Sequence, residues 1–72
     1  MISVWAVYDK PTDYPDRFVA RRYQIAEGET TATEDVMIST DIEIIHHFMQ
    51  KLNLFRTEPF ENDDKKIIEV WL

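Results

Sequence analysis

The sequence predicts an α+β domain, with a single antiparallel or mixed sheet of three to five strands and one helix packed on one face. Three observations carry this. Residues 2–8 and 66–72 are rich in β-branched and aromatic types, as strands are. The stretch from Asp41 to about Lys51 repeats apolar residues at helical period. Turn-forming residues separate these segments. With 72 residues, 44% of them hydrophobic and 31% charged, the chain suffices for one small core. A single domain over residues 1–72 is therefore expected, and wholesale disorder, collagen-like repeats and membrane spans are disfavoured.

The first strand, Ile2 to Tyr8, ends at an Asp-Lys-Pro turn signal. Side chains alternate across a strand, so Ile2, Val4, Ala6 and Tyr8 share one face and Ser3, Trp5 and Val7 the other. A second strand is expected over Arg17 to Ile25, with Val19, Arg21, Tyr23 and Ile25 opposite Phe18, Ala20, Arg22 and Gln24. Residues 9–16 hold Pro11, Pro15 and three Asp, as a wide hairpin loop would. Residues 26–35 contain the single glycine, four acids and three Thr, which reads as an exposed loop, with a short edge strand over Val36 to Ser39.

Thr40-Asp41-Ile42-Glu43 fits a capping box and starts the helix. At 100° per residue, Ile42, Ile45, Phe48, Met49 and Leu52 fall within an arc of about 120°, with Ile44 at its margin and Glu43, His47, Gln50 and Lys51 opposite. Leu54 to Thr57 reads as a short extended piece before the turn-rich run from Glu58 to Asp64. The last strand, Lys66 to Leu72, places Ile67, Glu69 and Trp71 on one side and Ile68, Val70 and Leu72 on the other.

Fourteen acidic residues against eight basic ones give a formal charge of −6. Such a chain repels phosphate, so nucleic acid is disfavoured as a partner. No cysteine is present, which removes disulfides, thiolate metal sites and a cysteine nucleophile. The apolar start has no Lys or Arg before it and is closed by Asp9, unlike a signal peptide, so a cytoplasmic protein with no membrane partner is expected.

Catalytic signatures are missing. One glycine cannot build a phosphate-cradling loop, and neither Gly-x-Ser-x-Gly nor His-Glu-x-x-His occurs. The Tyr8–Arg17 loop concentrates Asp9, Asp13 and Asp16 but lacks the alternate ligand spacing and central Gly of a calcium loop. His46 and His47 lie 100° apart on a helix and share one ion poorly. Glu43 and His46 match the Glu-x-x-His spacing of di-metal sites, which need matching helices that this chain lacks. His46 is instead expected to flank the buried stripe, with His47 pairing with Glu43. Arg17, Arg21 and Arg22 beside Phe18 and Tyr23 could stack single-stranded bases, but adjacent Asp9, Asp13 and Asp16 neutralise them. The expectation is a protein that is not an enzyme and uses no cofactor or metal.

The count of faces points elsewhere. One helix covers one sheet face, yet the first and last strands are apolar on both. Trp5, Val7, Tyr23, Ile67 and Trp71, with Arg21 at the rim, are therefore expected to form an uncovered aromatic surface. It would serve self-association or docking of another protein, because Trp, Tyr and Arg dominate interface hot spots. The alternative is an acidic inhibitor or nucleic-acid mimic for a basic protein surface, since Glu27 to Glu43 holds six acids and no Lys or Arg.

Two segments carry a resemblance: Tyr8-Asp9-Lys10-Pro11-Thr12-Asp13-Tyr14-Pro15-Asp16-Arg17-Phe18-Val19-Ala20-Arg21-Arg22, and the ending from Asp63 to Leu72. Through them the chain resembles a set of short uncharacterised bacterial and phage-associated proteins of similar length. The likeness spans most of the chain and is least over residues 27–40. It implies no activity, and marks the Pro-Asp loop and the final strand for attention.

Overall fold

The computed structural model describes residues 2–59 and 65–72. Of the turn-rich run expected from Glu58 to Asp64, residues 60–64 thus lie outside the described residues. The elements are β1 (Ile2–Asp9), β2 (Phe18–Ala26), β3 (Glu29–Ser39), α1 (Ile42–Lys51), β4 (Arg56–Thr57) and β5 (Ile67–Trp71). All five strands form one antiparallel sheet in the order β3-β2-β1-β5-β4. The fold is α+β, as the sequence predicts, with β1 at the centre. The chain leaves β3 at one edge, passes through α1 over the sheet and returns as β4 at the other edge. One crossing helix therefore covers one face.

β1 and β2 pair without interruption from Ile2↔Ile25 to Asp9↔Phe18. Their connection is hydrogen-bonded rather than loose: the Tyr14 N–H donates to Pro11 O (2.9 Å), Arg17 N–H to Tyr14 O (3.2 Å) and Lys10 N–H to Arg17 O (3.0 Å). The expected loop over residues 26–35 is instead mostly strand. Glu27 (φ 52°) and Gly28 (φ 80°) form a two-residue hairpin turn with both positions left-handed, the type I′ requirement, and β3 begins directly after it. The acids and threonines fit a strand here because β3 is an edge whose residues Glu29 to Ala32 are all exposed, so its composition follows water rather than the sheet.

β3 also carries an irregularity. Its register moves from Arg21↔Val36 to Tyr23↔Ala32, leaving residues 33–35 opposite Arg22. The Thr33 hydroxyl donates to Arg22 O (3.0 Å) and accepts the Asp35 N–H (3.2 Å), satisfying backbone groups that the ladder drops. An interruption with charges beside it is a common guard against edge-to-edge pairing.

The helix is capped by Asp41 rather than Thr40: Asp41 Oδ1 accepts the Glu43 N–H (3.0 Å). Its end is a Schellman turn. Asn53 takes the left-handed conformation (φ 61°), its N–H donates to Gln50 O (3.0 Å) and the Leu54 N–H reaches back to Met49 O (3.2 Å). Leu54 then packs on the core as Leu52 turns outward, 45% exposed. Ile45 and Met49 are fully buried, while Ile44 at the margin of the stripe is exposed.

Beneath α1 lie Trp5, Val7, Ala20 and Trp71, with Phe18, Met37, Ile42 and Phe48 around them. Trp5 meets Phe48 edge to face, ring centroids 5.9 Å apart at 80°. Full burial of each of the larger aliphatic or phenyl side chains contributes about 1.5–3 kcal/mol.

Candidate functional site

The cross-strand register decides which side chains share a face. Trp5 pairs with Trp71 and Arg22, Val7 with Ala20 and Glu69, and these residues lie on the helix side. The expectation that Trp5, Val7 and Trp71 form the uncovered surface is therefore corrected: they are 7%, 0% and 5% exposed beneath α1. The opposite face holds Val4, Ala6 and Tyr8 of β1, because Val4 pairs with Tyr23 and Ala6 with Arg21 and Val70. Tyr23 and Arg21 are thus on the uncovered face, as expected, but apart from the tryptophans.

Ile67 joins them for a local reason. β5 shifts register between Val7↔Glu69 and Tyr8↔Ile67, so Ile68 is the extra residue of a bulge. Strict alternation along β5 would put Ile67 beside Trp71. The bulge turns it to the far side, where it lines a shallow apolar basin of about 290 Å³ with Val4, Tyr8, Tyr23, Ile25 and Val70. The Tyr8 and Tyr23 hydroxyls lie 2.6 Å apart across β1 and β2, so the two rings hold one another in place.

Among the described residues no charged side chain lines this basin. Its charges stand at one end, where Arg21, Asp13 and Lys66 surround a second depression under the Pro-Asp loop. The surface thus has an apolar centre and a polar border, and among the described residues no helix covers it. Val4, Tyr8, Ile25 and Val70 were not singled out in the sequence. Parity along β1 alone groups Val4 with Tyr8, but only pairing with β2 reveals which parity the helix takes.

The other cluster lies on the helix side and was also not anticipated as a unit. Glu69, 7% exposed, accepts from Trp71 Nε1–H (3.0 Å) and Arg56 Nη1–H (3.4 Å), and both its oxygens lie within 2.9 Å of His46 Nε2. A carboxylate only accepts, so the proton is on Nε2. Glu43 approaches His46 Nδ1 at 3.6 Å, which corrects the expected pairing of Glu43 with His47. The buried charge is tolerated because several donors replace its water. Beside it runs a cleft of about 730 Å³ with Arg56 on one wall, His46 and Gln50 on the other and Trp71 between.

The three arginines of the expected base-stacking strand are dispersed. Arg22 is held by Asp35 (2.6 Å) and Ser3, on the helix side, and Arg17 stands 3.8 Å from Asp16 in the loop. Only Arg21 is on the uncovered face. Among the described residues no group of His, Asp and Glu could hold a metal ion, and no helix is long and apolar enough to cross a membrane. The chain matches no protein-family model, no curated protein and no solved structure.

Proposed function

We propose that the chain is a non-catalytic interaction module that self-associates through the uncovered sheet face, pairing two copies face to face. The observation that carries this is the uncharged basin formed by Val4, Tyr8, Tyr23, Ile25, Ile67 and Val70 opposite the only helix among the described residues. Two sheets packed in this way interleave their side chains at about 10 Å separation.

A second copy is the occupant that the mixed-sign border favours. Asp13 lies beside Arg21 and Lys66 at the border. A two-fold axis brings each patch onto its own equivalent, so the cations of one copy can meet the carboxylate of the other. The net charge of −6 on each copy opposes pairing at long range, so association rests on the apolar basin and strengthens as salt screens that repulsion. Four strands at about 4.8 Å spacing and six residues at about 3.4 Å give roughly 400 Å² per copy. About 800 Å² in total is an upper bound below the ~1,000 Å² of a stable interface, so the dimer is transient and concentration-dependent.

The acidic-mimic reading has less support. Of the acids in Glu27 to Glu43, Asp35 is bound to Arg22 and Asp41 caps the helix. Sedimentation velocity on the purified chain decides between one chain and two. The mass should rise towards that of a pair with concentration, and Ile25→Lys should hold the chain as a folded monomer. A wild-type chain that stays monomeric up to roughly 1 mM, where association is worth only about 4 kcal/mol, overturns the proposal.

A further inference from the structure

We propose that the cleft between α1 and β4, on the sheet face opposite the self-association surface, binds small monocarboxylates with an aromatic or apolar body. Arg56 takes the carboxylate. The cleft exists because α1 leans toward β3, and β5 and β4 extend past its other flank. Trp71 forms its floor, Arg56 rises from β4 opposite His46 and Gln50, and Asn53 and Phe55 close one end. It is an open depression of about 730 Å³, rimmed by exposed Gln50, Asn53, Phe55 and Arg56, and wide enough for a small ligand.

The polar groups of the cleft are unevenly matched. Arg56 has one partner among the described residues, Glu69, at the long distance of 3.4 Å, and its side chain is 56% exposed. Among the described residues, the rest of its guanidinium fork has no protein acceptor. The side-chain amides of Gln50 and Asn53 have no hydrogen bond to the described residues either. The one dedicated acceptor, Glu69, is buried and already receives Trp71 Nε1–H and His46 Nε2. The exposed Gln50, Asn53 and Arg56 groups are hydrated in the free chain, and among the described lining residues Arg56 supplies the guanidinium, whose planar fork suits a carboxylate.

Charge magnitude chooses between anions. One guanidinium neutralises one unit of charge, whereas a phosphate monoester brings about −1.5 to −2. The excess would face buried Glu69, and Glu43 stands behind His46. Arg56 already faces Glu69, so a monoanion adds one unit of unbalanced charge where a phosphate monoester adds nearly two. The exposed ring of Phe55, 78% accessible, gives the body of the ligand apolar contact that a bare inorganic ion cannot use, while Trp71 is 5% accessible at the floor.

The test is a titration of the isotope-labelled chain, at a concentration low enough to keep it monomeric, with 3-phenylpropionate, 3-phenylpropionamide and inorganic phosphate. The indole N–H resonance of Trp71 is followed. Saturable shifts of Trp71, Asn53 and Arg56 with 3-phenylpropionate alone support the site. Arg56→Gln should weaken binding at least about ten-fold, the scale of a charged hydrogen bond, while leaving the spectrum of the free chain in place. Gln50→Ala, on the exposed flank of α1, should weaken it less and keeps the test open should Arg56→Gln unfold. Equal binding of the amide, preferential binding of phosphate, unchanged affinity in Arg56→Gln or absence of saturation overturns the proposal. None of these depends on whether the opposite face dimerises.

Discussion

Glu69 is the residue on which most of the polar interior depends. A carboxylate buried beside Trp71 is held chiefly by the indole N–H and His46, with Arg56 at a longer 3.4 Å. Glu69→Ala leaves the Trp71 N–H beneath the helix with no acceptor. An unsatisfied buried donor costs about 1–3 kcal/mol, and the lost packing adds to it. The expected destabilisation is about 2 kcal/mol or more by urea unfolding. Glu69→Gln keeps one acceptor oxygen and should cost less than Glu69→Ala. Equal losses for the two variants would show that volume, not hydrogen bonding, is what Glu69 supplies. Sequence alternation placed Glu69 beside Trp71 correctly, but its partner His46 lies 23 positions earlier in the chain, a pairing that only the crossing of α1 over β5 creates.

At the scale of the element, two short-range devices set the limits of β3 and α1. The β2–β3 turn places Glu27 at φ 52°, a conformation that costs an ordinary side chain about 1 kcal/mol, and only Gly28 suits its position intrinsically. Glu27→Asn restores the preferred Asn-Gly pair and should raise stability by about 0.5–1 kcal/mol, measured as a higher midpoint of thermal unfolding. No change would mean that the Glu27 side chain makes a compensating contact. For the helix, Asp41→Ala removes the acceptor for the Glu43 N–H and should cost about 1 kcal/mol, with Asp41→Ser largely restoring it. The helix was legible because its apolar period and cap signals agree. The long edge strand was not, because an edge exposed on its outer side accepts the same Thr, Glu and Asp residues that a loop does.

For the whole molecule, the two sheet faces should respond differently to substitution. Met49→Ala opens a cavity under the helix and should destabilise by about 2–5 kcal/mol, a large part of the stability of a domain this small. Ile25→Lys on the other face should alter the apparent stability chiefly through association, so its effect should vanish on dilution, as mass action requires. A loss for Ile25→Lys that persists unchanged in dilute solution would instead mark that face as internal core. The comparison therefore tests the assignment of faces independently of any partner.

The residue order by itself determined the class of fold, the span of α1, the central and terminal strands, and the fact that one helix must leave a second apolar face. Those features follow from periodicities of two and 3.6 residues, which are local. It did not determine which face the helix takes. Within each strand the alternating sets are known, but the relation between strands is a matter of register, and one residue of slip exchanges the two sides. The pairing of Trp5 with Arg22 and Trp71 put both tryptophans under α1, and the bulge at Ile68 sent Ile67 the other way. The cleft beside Arg56 is likewise a product of where the helix lies across the sheet, since His46, Arg56 and Trp71 belong to three elements and meet only when α1, β4 and β5 have packed.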